Sequence, residues 1–171
     1  KKSEVVAYDD LGTEAIRKLE LEGLVLMIPR KGAEVAEITR QDMEDVLEVR
    51  TALEELAVKD ACDHIDENAG SDALFLTSDS HLTPVFALAG RRILCGSGSY
   101  VYYHGMDYSA EYNAMRALYE TPDEDTLAAW DIGYAVFDSS VYAKFAADES
   151  WYAARYDVWY ENAACRVYKI K

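Results

Sequence analysis

The chain has 171 residues, half of them hydrophobic and 29% charged, with a formal net charge of −15. This composition folds rather than stays disordered, and it suffices for one good core, or for one domain with an appendage. The acidic field repels phosphate backbones, so nucleic acid is not an expected partner without a locally basic face.

The chain opens on Lys1-Lys2-Ser3-Glu4, which has no apolar stretch behind it and does not read as a signal peptide. No run approaches the roughly 18–20 apolar residues of a membrane span, so no direct membrane insertion is expected. Thr13–Leu21 reads as a short helix with Ala15, Ile16 and Leu19 on one side, ended by Gly23. Leu24–Ile28 and Ala33–Ile38 read as two strands, joined by a tight turn at Pro29-Arg30-Lys31-Gly32. Thr39, with Asp42 three residues on, caps a long helix in a near capping-box pattern. Its apolar positions Met43, Val46, Leu47, Leu53, Leu56, Ala57, Ala61 and Ile65 recur at helical spacing, and Asn68-Ala69-Gly70 ends it.

A composition break falls near residue 62. Twelve of the thirteen tyrosines, all three tryptophans and every phenylalanine lie beyond it. This divides the chain into residues 1–62, a helix, hairpin and long-helix segment, and residues 63–171, a small domain with its own core. Within the second part, residues 73–77 suit a buried parallel strand. Residues 81–89 read as a helix with Pro84 in its first turn. A second strand covers 92–95 and a loose turn 96–98. Helices are expected over 107–119, 124–130, 140–147 and 149–156, with a third strand at 134–137. A closing hairpin spans 157–161 and 164–170. The predicted fold class is α/β: an N-terminal helix, a β-hairpin and a long helix, followed by a small three-layer α/β domain with a mixed sheet.

Cys62, Cys95 and Cys165 are odd in number and widely spaced, and His64, His81 and His104 are equally scattered. Neither a disulfide framework nor a metal site is indicated, and no cofactor is expected. The carboxyl ends of parallel strands are where open α/β sheets bind ligands. Here they carry Ser78, Asp79, Ser80 and His81, then Gly96, Ser97, Gly98 and Ser99, then Asp138, Ser139 and Ser140. His104 and Asp107 follow on the loop after the second strand. The candidate ligand-binding set is therefore Asp79, His81, Ser97, His104, Asp107 and Asp138, with a polar ligand such as a sugar as the occupant. Helix capping by the same Ser and Asp residues is the competing and favoured reading. No Gly-x-Ser-x-Gly elbow is present, and Gly96-Ser97-Gly98-Ser99 lacks its spacing and a following helix. No catalytic residue is assigned and no enzyme activity is expected. The tyrosines at 100, 102, 103 and 108, and the aromatics at 151, 152, 156, 159 and 160, divide between carbohydrate stacking and plain core or contact surface, with the latter preferred.

Two resemblances attach to these residues. Glu14-Ala-Ile-Arg-Lys-Leu-Glu-Leu-Glu-Gly-Leu-Val25, with the run from Pro29 to Ile38, resembles the end of the recognition helix and the wing of GntR-family transcription regulators. Thr39–Ala61, with Val49-Arg50-Thr51-Ala52-Leu53-Glu54, is similar to the first helix of the FadR-type effector domain. That resemblance implies a cytoplasmic regulator and a homodimer through the long helix; Arg30 and Lys31 in the turn are the candidate DNA contacts, although two exposed basic residues more often form a solvated tip. It does not extend to the first two helices of the winged helix-turn-helix or to the later effector-domain helices with their metal site. Thr13 also stands where the family usually places a DNA-touching Arg.

The second resemblance covers Asp72-Ala-Leu-Phe-Leu-Thr77, His81-Leu-Thr-Pro-Val85, Leu88-Ala-Gly-Arg-Arg92, Cys95-Gly96 and Tyr103-His-Gly-Met-Asp-Tyr108. These look like the soluble C-terminal domain of bacterial polytopic membrane glycosyltransferases of the mannosyltransferase type. It implies an extracytoplasmic accessory domain without the membrane-borne catalytic carboxylates. The first expectation for the whole chain is a non-catalytic accessory or interaction domain joined to a regulator-derived segment, as in a chimera. A regulator with an incomplete winged helix and a carbohydrate-binding module are the alternatives, and the compartment stays open.

Overall fold

The computed structural model describes residues 10–171, with side chains from residue 14 onward. The readings that rest on Lys1–Glu4 and on the Thr13 side chain lie outside the described parts. The chain forms two compact units, residues 1–49 and residues 50–171.

In the first unit, α1 (Asp10–Leu21) stops where Gly23 takes φ 73°, and Leu24 N–H closes back on the Leu19 carbonyl at 2.9 Å. This is the left-handed helix stop expected from the glycine. Strands β1 (Val25–Ile28) and β2 (Gly32–Val35) pair antiparallel, Val25 opposite Val35 and Ile28 opposite Gly32. They are shorter than the runs read from sequence. In the turn, Lys31 N–H donates to the Ile28 carbonyl, with Arg30 at φ 68°. That position favours glycine, and here an arginine holds it. Ala33 is the one buried hydrophobic residue among the described residues of this unit. Leu21, Leu24, Leu26, Val35 and Ile38 are more than half exposed. Among its described residues this unit therefore shows no buried apolar cluster: a short helix and a two-stranded hairpin have too few layers to enclose one.

Helix α2 (Arg40–Asn68) ends where the sequence predicts. The Asp42 carboxylate accepts from Thr39 N–H at 2.8 Å while Asp42 N–H donates to Thr39 Oγ1 at 3.1 Å, so the capping box is reciprocal. Its apolar residues have two fates. Met43, Val46, Leu47, Leu53 and Leu56 are exposed, whereas Ala61, Cys62 and Ile65 are buried. The boundary between units falls at Val49/Arg50, upstream of the composition break at 62, because Val58, Cys62 and Ile65 pack against the sheet of the second unit.

The second unit continues with β3 (Leu74–Leu76), α3 (Pro84–Ala87), β4 (Arg92–Ile93), α4 (Gly98–Tyr103), α5 (Ser109–Glu120) and α6 (Glu124–Ala129). Then follow β5 (Tyr134–Asp138), α7 (Ser139–Lys144), α8 (Glu149–Ala153), β6 (Val158–Glu161) and β7 (Cys165–Lys169). The five strands form one mixed sheet in the order β4-β3-β5-β7-β6. β3 runs parallel to β4 and β5, and β7 runs antiparallel to β5 and β6. The fold is α/β, as expected.

Burial on both faces makes it three-layered. Tyr134, Ala135, Val136 and Phe137 are four consecutive buried residues in β5, the pattern of a strand covered on two sides. Ala135 and Phe137 face a cluster with Met115, Leu118 and Tyr119 of α5, Leu127 of α6, Val141 of α7 and Tyr152 of α8. Tyr134 and Val136 face the opposite cluster, with Cys62 and Ile65 of α2 and Val85 of α3. Tyr119 clamps the sheet from within, its hydroxyl lying 3.1 Å from the Leu76 carbonyl and 2.8 Å from that of Val136, on adjacent strands. The α2 layer is pinned by Asn162, which donates to the Ala57 carbonyl at 2.7 Å, and by Tyr160, whose hydroxyl bonds Asp60.

One local reading is corrected. Residues 98–103 coil into α4 rather than prolonging a loose turn, so a helix does follow Gly96-Ser97. Gly98 is the residue that permits it, since a Cβ there would lie 2.6 Å from the Tyr108 ring.

Candidate functional site

The carboxyl ends of β3 and β5 open on a cavity of about 490 Å³, a size typical of small-molecule sites. Its polar wall is Ser78, Ser80, Thr83, Asp138, Ser139 and Ser140, faced by Arg50 and Glu54 of α2. All belong to the second unit.

The hydrogen bonds run in a fixed order. Asp138 Oδ1 accepts from the N–H groups of Ser140 and Val141, each at 2.9 Å, and from the Ser140 hydroxyl at 2.6 Å. Ser140 has then spent its proton, so its oxygen accepts from the Ser78 hydroxyl 2.9 Å away. Ser78, itself only 4% exposed, is left with lone pairs toward the cavity side of this relay. The walls are thus rich in acceptors. The one cation among the lining residues, Arg50, pairs with Glu54 at 2.7 Å.

Thr83 departs from this order. It occupies the N-cap position of α3 but makes no side-chain cap, and Phe86 and Ala87 N–H groups bond its backbone carbonyl instead. It is 5% exposed, and its Oγ1 has no hydrogen-bond partner among the described residues. A buried hydroxyl left so costs about 1–3 kcal/mol.

Only part of the predicted site converges here. Asp138 lines the cavity and at the same time caps α7. Asp79 follows β3 but is held by an ion pair with Lys144 of α7 rather than by a histidine. Asp107 is turned to its own chain, its carboxylate accepting from Ser109 N–H at 2.9 Å, the largest influence holding its pKa low being the Ser109 hydroxyl. Ser97 pairs with Ser99 at 3.1 Å. His81 and His104 flank the Tyr100 ring, with centroid separations of 5.7 and 4.8 Å. Because α4 follows β4 directly, Ser97, His104 and Asp107 belong to that helix and its exit, and none of them lines the cavity. Arg30 and Lys31 are exposed in the β1–β2 turn.

The aromatic groups separate as well. Tyr152 is fully buried and donates to the Leu118 carbonyl at 2.8 Å, and Trp151, Tyr156, Trp159 and Tyr160 pack against the two core clusters. Tyr100, Tyr102 and Tyr103 are exposed.

Sequence reasoning missed Thr83, because a threonine before Pro84 reads as an ordinary cap. It also missed Arg50 and Glu54, which only the tertiary fold brings to the strand ends. A second polar cluster was equally hidden. The Glu149 carboxylate accepts from Arg166 and from Tyr168, each at 2.8 Å, and from Tyr142. Burial opposes its ionisation, but these bonds outweigh burial and hold its pKa below the ordinary value. Burial is the main cause pushing both the Cys95 and Cys165 thiols up to about 11, which disfavours the thiolate form.

Among the described residues, no helix is long and apolar enough to cross a membrane. Compared with known proteins, the chain matches no family model, no curated protein and no solved structure.

Proposed function

We propose that the α/β unit is a non-catalytic accessory domain that binds a small neutral polyhydroxylated ligand, such as a sugar, at the carboxyl edge of β3 and β5. The observation that carries this reading is the cavity of about 490 Å³ walled by Ser78, Ser80, Thr83, Asp138, Ser139 and Ser140, beside which the buried Thr83 Oγ1 has no partner among the described residues. A buried hydroxyl left without a partner beside a cavity is an exception that a ligand reaching it would explain.

The chemistry of the wall selects the ligand. Ser78 and Ser140 have committed their protons along the relay to Asp138, so these two hydroxyls offer acceptors to a ligand that brings donors. Arg50 is neutralised by Glu54 and Asp138 adds a negative charge, which disfavours phosphates and carboxylates. A polyol supplies hydroxyl donors without charge. The resemblance of residues 62–171 to the soluble domain of membrane glycosyltransferases agrees with this class of ligand.

The test is a titration of isotope-labelled protein with monosaccharides and disaccharides, following the backbone amides of Ser78, Thr83 and Ser140. Saturable shifts confined to this edge support the proposal. No shift at tens of millimolar sugar, or shifts scattered over the surface, rejects it.

A further inference from the structure

The carboxyl end of the sheet carries a second cavity, of about 320 Å³, walled by Tyr142 of α7, Glu149 of α8, the β6–β7 turn and Arg166 of β7. Asp138 pairs with Cys165 across β5 and β7, which sets the turn before Cys165 beside the end of β5. The two cavities are neighbours for that reason: Asp138, Ser139, Ala163 and Ala164 line both. The first is bounded by α2 and the second by α7 and α8, so they flank the end of the sheet from its two faces. Ser139 and Ala163 are exposed and short, so no long side chain of theirs stands across the rim between the cavities. The Asp138 bonds to Ser140 and Val141 all run through Oδ1, which leaves Oδ2 uncommitted at that rim.

The second cavity has its own chemistry. Arg166 is held by Glu149 at 2.8 Å and by Glu161, yet its Nε is buried without a partner among the described residues, as Thr83 Oγ1 is beside the first cavity. Tyr142 is 51% exposed and gives its hydroxyl proton to Glu149, which fixes an aromatic ring on the wall. A flat apolar ring bordered by polar groups suits a sugar ring, which has an apolar face and a hydroxylated edge. Over the two cavities four carboxylates stand against two guanidiniums, and each guanidinium is already paired. That balance disfavours an acidic sugar in either one.

We propose that the ligand is a neutral oligosaccharide of at least two sugar units, lying across the end of the sheet with one unit in each cavity and the linkage over Ser139 and Ala163. This rests on the sugar-site reading above and extends it from a single ring to a chain. Two cavities that meet over a low rim fit a chain of rings, whereas a lone ring would occupy one and leave the other empty. The second unit adds one aromatic contact and one neutral hydrogen bond, so a disaccharide should bind about tenfold more tightly than its monosaccharide.

The experiment titrates the isotope-labelled full chain with glucose and mannose, and with α- and β-linked disaccharides of each. Two sets of amides are followed: Ser78, Thr83 and Ser140 for the first cavity, and Tyr142, Glu149 and Arg166 for the second. A monosaccharide is expected to shift the first set, and a disaccharide to shift both sets together with the tighter affinity. Tyr142→Ala should abolish the gain from chain length, and Tyr142→Phe should keep it, because the ring remains. Should the alanine variant lose its folded spectrum, the two amide sets of the parent decide the matter alone. Shifts of the first set only, with no gain from the second sugar, overturn this proposal and leave the single-ring site standing. A gain that survives Tyr142→Ala in a folded variant also overturns it. No saturable shift with any of the sugars overturns both readings.

Discussion

Replacing Thr83 by valine separates the ligand-site reading from ordinary packing. Valine keeps the branched shape and substitutes a methyl group for Oγ1, so the volume of the 5%-exposed side chain is nearly conserved. If the hydroxyl has no partner in the folded chain, its removal relieves a desolvation penalty of about 1–3 kcal/mol. Part of that gain is offset because unfolded threonine is hydrated, leaving a net stabilisation of about 1 kcal/mol. For a unit of this size that raises the unfolding midpoint by roughly 3–5 °C. The same substitution removes the ligand's donor or acceptor and should weaken sugar binding about five- to tenfold, the worth of one neutral hydrogen bond. Differential scanning calorimetry and the amide titration read the two effects separately. A variant destabilised by 1 kcal/mol or more refutes the unpartnered hydroxyl. A stabilised variant with unchanged sugar affinity refutes its role in binding.

Tyr119→Phe should destabilise by about 1–3 kcal/mol in chemical denaturation, because the hydroxyl serves carbonyls on two adjacent strands. An effect below 0.5 kcal/mol, on the order of measurement error, would show that the clamp is not formed. The lowered Glu149 pKa makes a pH prediction: the stability it contributes is present above the ordinary glutamate value of 4.5 and lost as pH falls below it. Glu149→Gln should therefore flatten the acid limb of the stability curve, and an unchanged limb in acid titrations counts against the Tyr142–Tyr168–Arg166 cluster. Cys95, buried with a pKa near 11, should react with a thiol reagent at pH 8 at least a hundredfold more slowly than in denaturant, since little thiolate exists there. Equal rates would mean that the thiol is exposed.

The sheet was readable because its strands carry strong local signals. Residues 134–137 are an unbroken apolar run, and the closing hairpin alternates around a polar turn. The capping box at Thr39 and the glycine stop at Gly23 are local chemistry, so they too could be placed in advance. The site was only partly readable because its members arrive from distant segments. Ser78 and Ser140 were recognised at strand ends, but their relay to Asp138 depends on the β3–β5 pairing. Thr83 has an ordinary capping context and an exceptional environment, and sequence shows only the first. Helix α4 was missed because two glycines flanking serine at 96–98 read as a loose turn. The aromatic run behind them has no alternation that would have corrected it. The exposure of the apolar residues described before Arg50 was hidden by a helical apolar pattern, which registers spacing but not whether anything covers it.

Among the described residues, both clusters of buried apolar side chains lie within 50–171, with Val58, Cys62 and Ile65 of α2 forming one of the layers. Thermal unfolding of a fragment of residues 50–171 tests this. The expected result is a single cooperative transition within a few degrees of the main transition of the full chain. A fragment that melts gradually, or that loses its folded near-ultraviolet signal, would show that the first unit supplies part of the core.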